Sequence, residues 1–310
     1  MTKPVVAIGE CLIDLIAPQG SDLISGNTLA IREGGAPANV AVGLARLGVP
    51  VQMRTVLGDD PFGQRLHARL GAEGIDISHV RIAADTPTTI ALAWADEAGD
   101  GHFRLHRHAD RLLSPDEMNL HDVEAVVFGS VAMSASPSVD AVLTAIRHAS
   151  DVGIPLVFDV NVRPGLLPMD ELRMLIMVGL AAGTVVKLSV DDARHLWGAT
   201  SLDDAADALD RIDPPVAVIT DGARGALLRV GGERIRQDVF PVNAVEPTGA
   251  GDAFTAGFIS RMIARNWQGA DGDDLRFAMA CGALATTMPG AMDGLPTRDQ
   301  VTEFLHAHTG

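Results

Sequence analysis

The stretch Glu246-Pro247-Thr248-Gly249-Ala250-Gly251-Asp252-Ala253-Phe254 holds the residues of this chain best suited to chemistry. Phe254, Phe258 and Met262 follow at four-residue intervals, which marks one face of a helix. The glycines therefore fall in the turn that opens that helix. Such a turn offers free backbone N–H groups and the positive end of the helix dipole, and both suit an anion. Asp252 stands in the first turn, beside that anion. A carboxylate next to an anion hole suits phosphoryl transfer: Asp252 accepts a proton while the N–H groups of Gly249, Ala250 and Gly251 meet the phosphoryl oxygens. The plainer alternative is a glycine-rich helix start with a solvated aspartate.

Other polar groups could serve the same reaction. Val5-Val6-Ala7-Ile8-Gly9 reads as a buried parallel strand, and Asp14 lies just past its end. Ligands of open α/β sheets gather at the carboxyl ends of strands, so Asp14 either holds the hydroxyls of a sugar or is a solvated loop carboxylate. Gly34 and Gly35 precede Pro37 and a helical pattern, so backbone can approach a ligand there, and Asn39 offers both a donor and an acceptor. Leu156-Val157-Phe158 reads as a strand that leads into Asp159, Asn161 and Arg163, which alternate to one side. Arg163 is the evident cation of that segment; a surface ion pair with an aspartate is the plainer reading.

The elements that must position these groups follow from the whole chain. It has 310 residues, 47% of them hydrophobic, enough for one large α/β unit with an appendage. The formal net charge of -16 argues against nucleic acid or an anionic membrane as the main partner, and an anionic substrate would need a local positive pocket. Only two lysines occur, Lys3 and Lys187. Cys11 and Cys281 suggest no disulfide framework and fit a reducing, cytoplasmic setting. The apolar start carries Glu10 and Asp14 and lacks the basic leader of a signal peptide, and no run reaches membrane-span length. Buried strands alternating with helical stretches imply a doubly wound α/β fold, with a mostly parallel central sheet flanked by helices. Residues 86–94 read as a strand, Gly99-Asp100-Gly101 as a hairpin turn and residues 103–106 as the returning strand. His102, His106 and His108 lie in or beside that strand; a metal site needs more partners at ligand spacing than the sequence offers. Asp59 and Asp60 read as a cap and a solvated loop.

Two segments together carry a family resemblance. Gly35-Ala36-Pro37-Ala38-Asn39-Val40-Ala41, with Gly48 and Gly58 beyond it, resembles the first signature of the ribokinase-like (PfkB) carbohydrate kinases. Thr248-Gly249-Ala250-Gly251-Asp252-Ala253-Phe254 resembles their second signature, in the required order, and the likeness runs from Gly9 to Pro296. The resemblance implies a core of residues 1–14, 34–85 and 111–310 that binds nucleotide and sugar, and a small β lid of residues 15–33 and 86–110. It implies an ATP-dependent kinase for a primary hydroxyl of a small sugar, most nearly a fructokinase. Kinases for 2-keto-3-deoxygluconate, ribose or a nucleoside are the alternatives, and a non-catalytic sugar-binding regulator is the reading from another class.

By the same resemblance, Asp252 is the general base, with Gly249, Ala250 and Gly251 as the anion hole. Asp14, Gly34, Gly35, Asn39, Arg107 and Arg163 face the sugar and phosphate. Asn161, Ser189, Thr220, Gly222, Gly225, Met279 and Ala283 face the nucleotide. Mg²⁺ arrives with ATP and is organised through water by Asp192, which replaces the family's usual Glu. Glu246, where the family often has Asp, is the candidate for a monovalent cation such as K⁺. The lid implies a possible contact in a homodimer. His106-Arg107-His108-Ala109-Asp110 is two residues shorter than the matching fructokinase segment, and Ala291 stands where ketodeoxygluconate kinases often carry Asp. No Gly-Lys-Ser/Thr occurs, so the chain is not a P-loop enzyme.

Overall fold

The computed structural model describes residues 3–18, 23, 26–95 and 101–308. Among these, nine strands form one central sheet. From one edge to the other they run Glu233–Gln237, Ala226–Val230, Val216–Thr220, Val185–Ser189, Leu156–Asp159, Ala125–Gly129, Val5–Ile8, Val51–Gly58 and Val80–Ala83. Neighbours pair in parallel except at the first two joints, where Ala226–Val230 runs against both of its partners. Helices cover both faces, and successive side chains of a strand enter different cores. Val5 and Ala7 join the core packed by helices Ala36–Arg46, Ala250–Ala264 and Gly272–Ala285. Val6 and Ile8 join the opposite core, with helices Ser138–Val152, Met169–Ala182, Val190–Trp197 and Leu202–Leu209. That two-sided burial is why these strands read as unbroken apolar runs.

The same alternation sets the position of a charge. Along Val185-Val186-Lys187-Leu188, Val186 and Leu188 belong to the second core and Val185 to the first. Lys187 therefore points to the face that carries helix Ala250–Ala264, where Phe254, Phe258 and Met262 are buried as their spacing predicts.

A second sheet of four strands runs Ala30–Gly34, Leu12–Ile16, Ile90–Ala95 and Gly101–His106. Leu12–Ile16 follows almost directly on the central strand Val5–Ile8, so this small sheet is tied to the carboxyl end of the large one. Ile90–Ala95 and Gly101–His106 pair antiparallel, with Ala95 opposite Gly101. Gly99 and Asp100 of the expected turn lie outside the described residues. The strand expected over residues 86–94 begins only at Ile90. Pro87 has no N–H to donate, and the threonines beside it are engaged elsewhere. Asp60, the N-cap of helix Pro61–Ala72, accepts from Gly63 N at 2.8 Å and from the Thr88 N and Oγ1 at 2.7 Å each. Thr89 Oγ1 bonds the buried Asp110 carboxylate. Asp60 thus does more than cap: it pins the start of the small sheet to the core.

Candidate active site

Helix Ala250–Ala264 begins at Gly249, whose φ of 82° is left-handed. A Cβ at that position would stand 2.7 Å from the Ala291 carbonyl oxygen, so glycine is required on both counts. Asp252 is the third residue of the helix. Its Oδ2 accepts from Asn39 Nδ2 at 2.7 Å. Asn39 itself is buried in the first turn and a half of helix Ala36–Arg46, which follows Gly35 at φ 104°. The two glycine-led helix starts thus meet through a carboxylate and an amide.

They meet at the wall of a cavity of about 290 Å³. Asp14, Gly35, Asn39, Asn161, Arg163, Gly249, Gly251 and Asp252 all line it. Glu10, Phe103, Leu105 and Lys187 are among the lining residues that were not assigned a role from the sequence. Arg163 lies over the Phe103 ring at 5.8 Å and donates to its own segment at Val162 O, 3.1 Å away. Asn161 takes a left-handed φ of 42°, which Asn tolerates better than most residues, and its carbonyl accepts from Ser130 Oγ at 2.9 Å.

Lys187 is the second cation of the cavity. Its Nζ lies 3.0 and 3.3 Å from the two oxygens of Asp159, which also accepts from Thr255 Oγ1 at 2.8 Å. A Cβ added to Gly251 would approach that Nζ to 3.1 Å, so the ammonium sits against the anion-hole turn. Burial opposes its charge, but the carboxylates of Asp159, Asp192 and Asp252 outweigh burial and hold its pKa above the ordinary lysine value.

The carboxyl groups of the cavity are also shifted up, which for them favours the neutral form. Burial, and next the charge of Asp159, raise Asp252 to about 6, although the Asn39 hydrogen bond, Lys187 and Arg163 pull it down. Burial and the neighbouring Asp252 raise Asp14 to about 7. Burial raises Glu10 to about 7 as well, and its Oε2 has no hydrogen-bond partner among the described residues. A base that titrates near the operating pH is well placed to take a proton during a reaction.

A second cavity, of about 490 Å³, adjoins the first. Pro247 and Gly251 line both, so the loop before helix Ala250–Ala264 is the shared wall. Thr220, Gly222, Gly225, Ala250, Met279 and Ala283 line this second cavity, together with Phe240, Val242 and Phe254. Its character is apolar, as a base-stacking site requires.

Five assigned residues line neither cavity. Gly34 ends its strand behind Asp14; a Cβ there would overlap Asp14 Oδ2 at 2.1 Å, so Gly34 makes room for that carboxylate. Arg107 points into the protein: it donates to Asp110 at 2.7 Å, to Val131 O and Ser134 Oγ at 2.7 Å each, and to Ser138 Oγ at 3.4 Å. A sugar contact from Arg107 would have to break that set, because Asp110 and the Val131–Ser138 turn draw the guanidinium inward. Ser189 and Asp192 form a capping box at helix Val190–Trp197. Asp192 Oδ1 accepts from Val162 N at 2.7 Å, and its Oδ2 accepts from Ser189 N and Oγ at 2.8 Å each. Asp192 therefore ties the Arg163 segment to the next helix. Glu246 accepts from Gly290 N at 3.0 Å. Among the described residues, no three His, Cys, Asp or Glu side chains converge as a metal site would require. His102 stacks on Trp94 with ring centroids 5.3 Å apart.

Residues 2–298 match the model of the pfkB family carbohydrate kinases. The chain belongs to that family. It is 33% identical to the fructokinase of Klebsiella pneumoniae over 98% of this chain and 100% of that one. It is 32% identical to the aminoimidazole riboside kinase of Salmonella typhimurium, covering 98% and 96%. Among solved structures it is similar to a double mutant of the Vibrio cholerae fructokinase with fructose, ADP and potassium ion bound, at TM-score 0.87 and 30% identity, covering 98% of each chain. It is also similar to a chain from E. coli solved with ATP and Mg²⁺, at TM-score 0.89 and 26% identity, covering 99% and 100%. The doubly wound sheet, the glycine-led helix and the whole-chain match thus agree on one carbohydrate kinase fold. Among the described residues, no helix is long and apolar enough to cross a membrane.

Proposed function

We propose that this carbohydrate kinase transfers the γ-phosphoryl group of ATP to a primary hydroxyl of a small sugar, in the manner of a fructokinase. One observation carries the reading: the Asp252 carboxylate, held by Asn39, stands where a polar cavity meets an apolar one. The sugar occupies the polar cavity, with Asp14, Asn39 and the Gly35 backbone meeting its hydroxyls. The adenine lies in the apolar cavity against Met279 and Ala283, and its phosphates pass Thr220, Gly222 and Gly225 toward Gly251. Asn161 faces the phosphates from the sugar side.

In the reaction, Asp252 accepts the proton of the sugar hydroxyl as that oxygen attacks the γ-phosphorus. The new O–P bond forms as the bond to the β-phosphate oxygen breaks, and ADP leaves with the electron pair. The N–H groups of Gly249 and Gly251, with Arg163 and Lys187, stabilise the charge on the phosphoryl oxygens, whereas the Ala250 N–H expected beside them already donates to Pro247 O at 3.2 Å. Mg²⁺, when bound, neutralises charge on the nucleotide phosphates. The donor set fits an ion carried mainly by those phosphates, since both Asp192 oxygens already accept protein hydrogen bonds. Glu246 is the candidate carboxylate beside a monovalent cation.

The experiment is a coupled assay of ADP release over a panel of sugars and nucleosides. Turnover of fructose or another small sugar supports the reading. Turnover of nucleosides alone would replace it with the nucleoside kinase reading, which the aminoimidazole riboside kinase relative favours. We also propose that the small sheet pairs two copies of the chain. Its outer strands are Ala30–Gly34 and Gly101–His106, and Leu29 and Ile31 are exposed beside the first. Sedimentation of the purified protein at monomer mass would remove that proposal.

A further inference from the structure

The second cavity has apolar walls and few polar atoms. Phe240, Phe254 and Met279 are buried in its lining. Phe240 is held by the end of the chain: the rings of Phe304 and His308 meet it T-shaped at 5.2 and 5.6 Å, and the Arg276 guanidinium lies over it at 5.6 Å. Arg276 also donates to His308 O at 2.8 Å. Helix Arg298–Ala307 and the residue after it thus fix one wall of the cavity. An aromatic wall attracts any base, because every base presents a π face, and the attraction grows with the ring area covered.

Adenine and guanine differ at their edges. Adenine offers a 6-amino donor where guanine has a 6-oxo acceptor, and guanine adds a 2-amino donor. A site tells them apart with groups of fixed polarity, such as a carboxylate, an ammonium or a guanidinium. Among the described residues of the lining, the only side chains with an N–H or O–H group are Thr220 and Thr286. A hydroxyl rotates to donate or to accept, so it serves either edge. Thr286 Oγ1 donates to Ala283 O at 2.7 Å and keeps its lone pairs for an amino group. Charged neighbours of the lining are engaged elsewhere. Asp221 pairs with Arg224 at 2.6 Å, Glu246 accepts from Gly290 N at 3.0 Å, and Arg276 is turned to Phe240 and His308. The loop beside the cavity also spends backbone donors on itself and on helix Gly272–Ala285: Ala244 N donates to Val242 O, and Val245 N to Thr286 O.

We propose that this cavity takes purine nucleoside triphosphates as a class, GTP and ITP as well as ATP, and selects them by stacking area and not by the polarity of the base edge. The inference rests on the proposed kinase reaction and widens its phosphoryl donor. The chemistry is unchanged: the sugar oxygen bonds the γ-phosphorus, the bond to the β-phosphate oxygen breaks, GDP or IDP leaves with the electron pair, and Asp252 takes the proton. A site built to bond a substrate edge rejects the wrong partner by roughly 10⁴–10⁵-fold, whereas an apolar pocket discriminates by no more than about 10²-fold. The cavity, at about 490 Å³, lies within the size range of small-molecule sites and has room for either purine.

The test measures kcat/KM for ATP, GTP, ITP, UTP and CTP with fructose, or with whichever sugar of the panel is turned over best. The readout is the phosphorylated sugar, so it does not depend on which diphosphate is released. GTP and ITP are expected within about 10²-fold of ATP, with UTP and CTP below all three, because a single ring covers less of the wall. A preference for ATP over GTP larger than that would overturn the inference and leave the kinase reading intact. So would a pyrimidine donor used as well as ATP. Phe240→Leu trims the stacking wall and is expected to raise KM for ATP and for GTP by the same factor, about three- to tenfold, with kcat and the sugar KM kept. A rise for one nucleotide alone would mean that the base edge is read there, and a rise for neither would remove Phe240 from the wall; either result counts against the inference. Melting curves establish that the variant is folded, and the native ratios decide the point if it is not. Should no sugar be phosphorylated, the kinase reading falls, and calorimetry of ADP and GDP binding still decides: GDP within about 10²-fold of ADP supports the inference, and weaker binding overturns it.

Discussion

Asn39 and Asp252 stand 213 positions apart in the chain and are joined by a 2.7 Å hydrogen bond from amide to carboxylate. The bond fixes one carboxylate oxygen, Oδ2, and aligns the side chain at the opening of its helix. A base held in one rotamer gives up little entropy when the substrate arrives, which is how positioned groups contribute to rate. In the proposed reaction the adjacent turn supplies the anion hole, so the base and the oxyanion donors would be contiguous in the chain.

Asp252→Asn keeps the shape of the side chain but cannot take a proton. The expected result is a fall in kcat of roughly 10²–10⁴-fold, with ATP affinity nearly kept and the melting temperature not lowered. Steady-state kinetics with calorimetry of ATP binding checks it. Turnover within a few-fold of native would remove Asp252 from the role of base, and early melting with loss of ATP would make it a structural residue.

Arg163→Ala removes a guanidinium that lies over Phe103 at the cavity wall. A charge-assisted contact of this kind is worth roughly 1.5–3 kcal/mol, so kcat/KM should drop by about one to two orders of magnitude without unfolding. Unchanged KM values for both sugar and ATP, with unchanged kcat, would refute the assignment. Arg107→Ala should behave differently: it strands Asp110 in the interior, so the melting temperature falls first.

Lys187→Met leaves Asp159 buried without its cation. Breaking a buried pair this way costs about 3–5 kcal/mol, to be read in a denaturant titration. Adding Asp159→Asn should restore much of that stability and none of the turnover, if Lys187 serves the phosphoryl group. Recovery of both by the double variant would show that Lys187 acts only in folding.

The pH dependence of stability follows from three raised carboxyls. Glu10 and Asp14 are shifted up to about 7 and Asp252 to about 6. Each holds its proton more tightly in the folded chain than in the unfolded one, where Asp and Glu titrate near 4. Between pH 4 and 7 the folded state therefore binds more protons, and the contribution of these groups to stability is lost as pH rises. The ligand-free protein should melt earlier at pH 7.5 than at pH 5.5, and Glu10→Gln should reduce the difference. A melting temperature that climbs over this interval in the native protein, and does so equally in the variant, would contradict the shifts.

The sequence made local chemistry legible and long-range chemistry only in part. Gly249 to Asp252 could be read because a helix start, its dipole and its carboxylate are contiguous. Asn39 was recognisable as a polar group near a helix start, but its partner lay two hundred residues away. Lys187 stands inside an apolar strand and belongs to no motif. Its signal was present nonetheless: a lysine within Val185-Val186-Lys187-Leu188 is buried, so it needs a carboxylate from a neighbouring strand, and Asp159 ends that strand. Motif position specifies where Arg107 sits and not which way it turns; in this structure Asp110, three residues on, and the Val131–Ser138 turn draw its guanidinium inward. Thr86 to Thr89 read as strand by β-branching, whereas Asp60 and Asp110 claim the hydroxyls of Thr88 and Thr89.

The partition shared by the two cavities has a consequence for inhibition. Among the described residues, Pro247 and Gly251 alone belong to both linings, so the two cavities adjoin across the loop before helix Ala250–Ala264. A molecule that tethers adenosine to a polyol through a short oligophosphate bridge would occupy both chambers at once. Its second half would then engage at the effective concentration set by the tether, and its avidity would exceed that of either half alone by orders of magnitude.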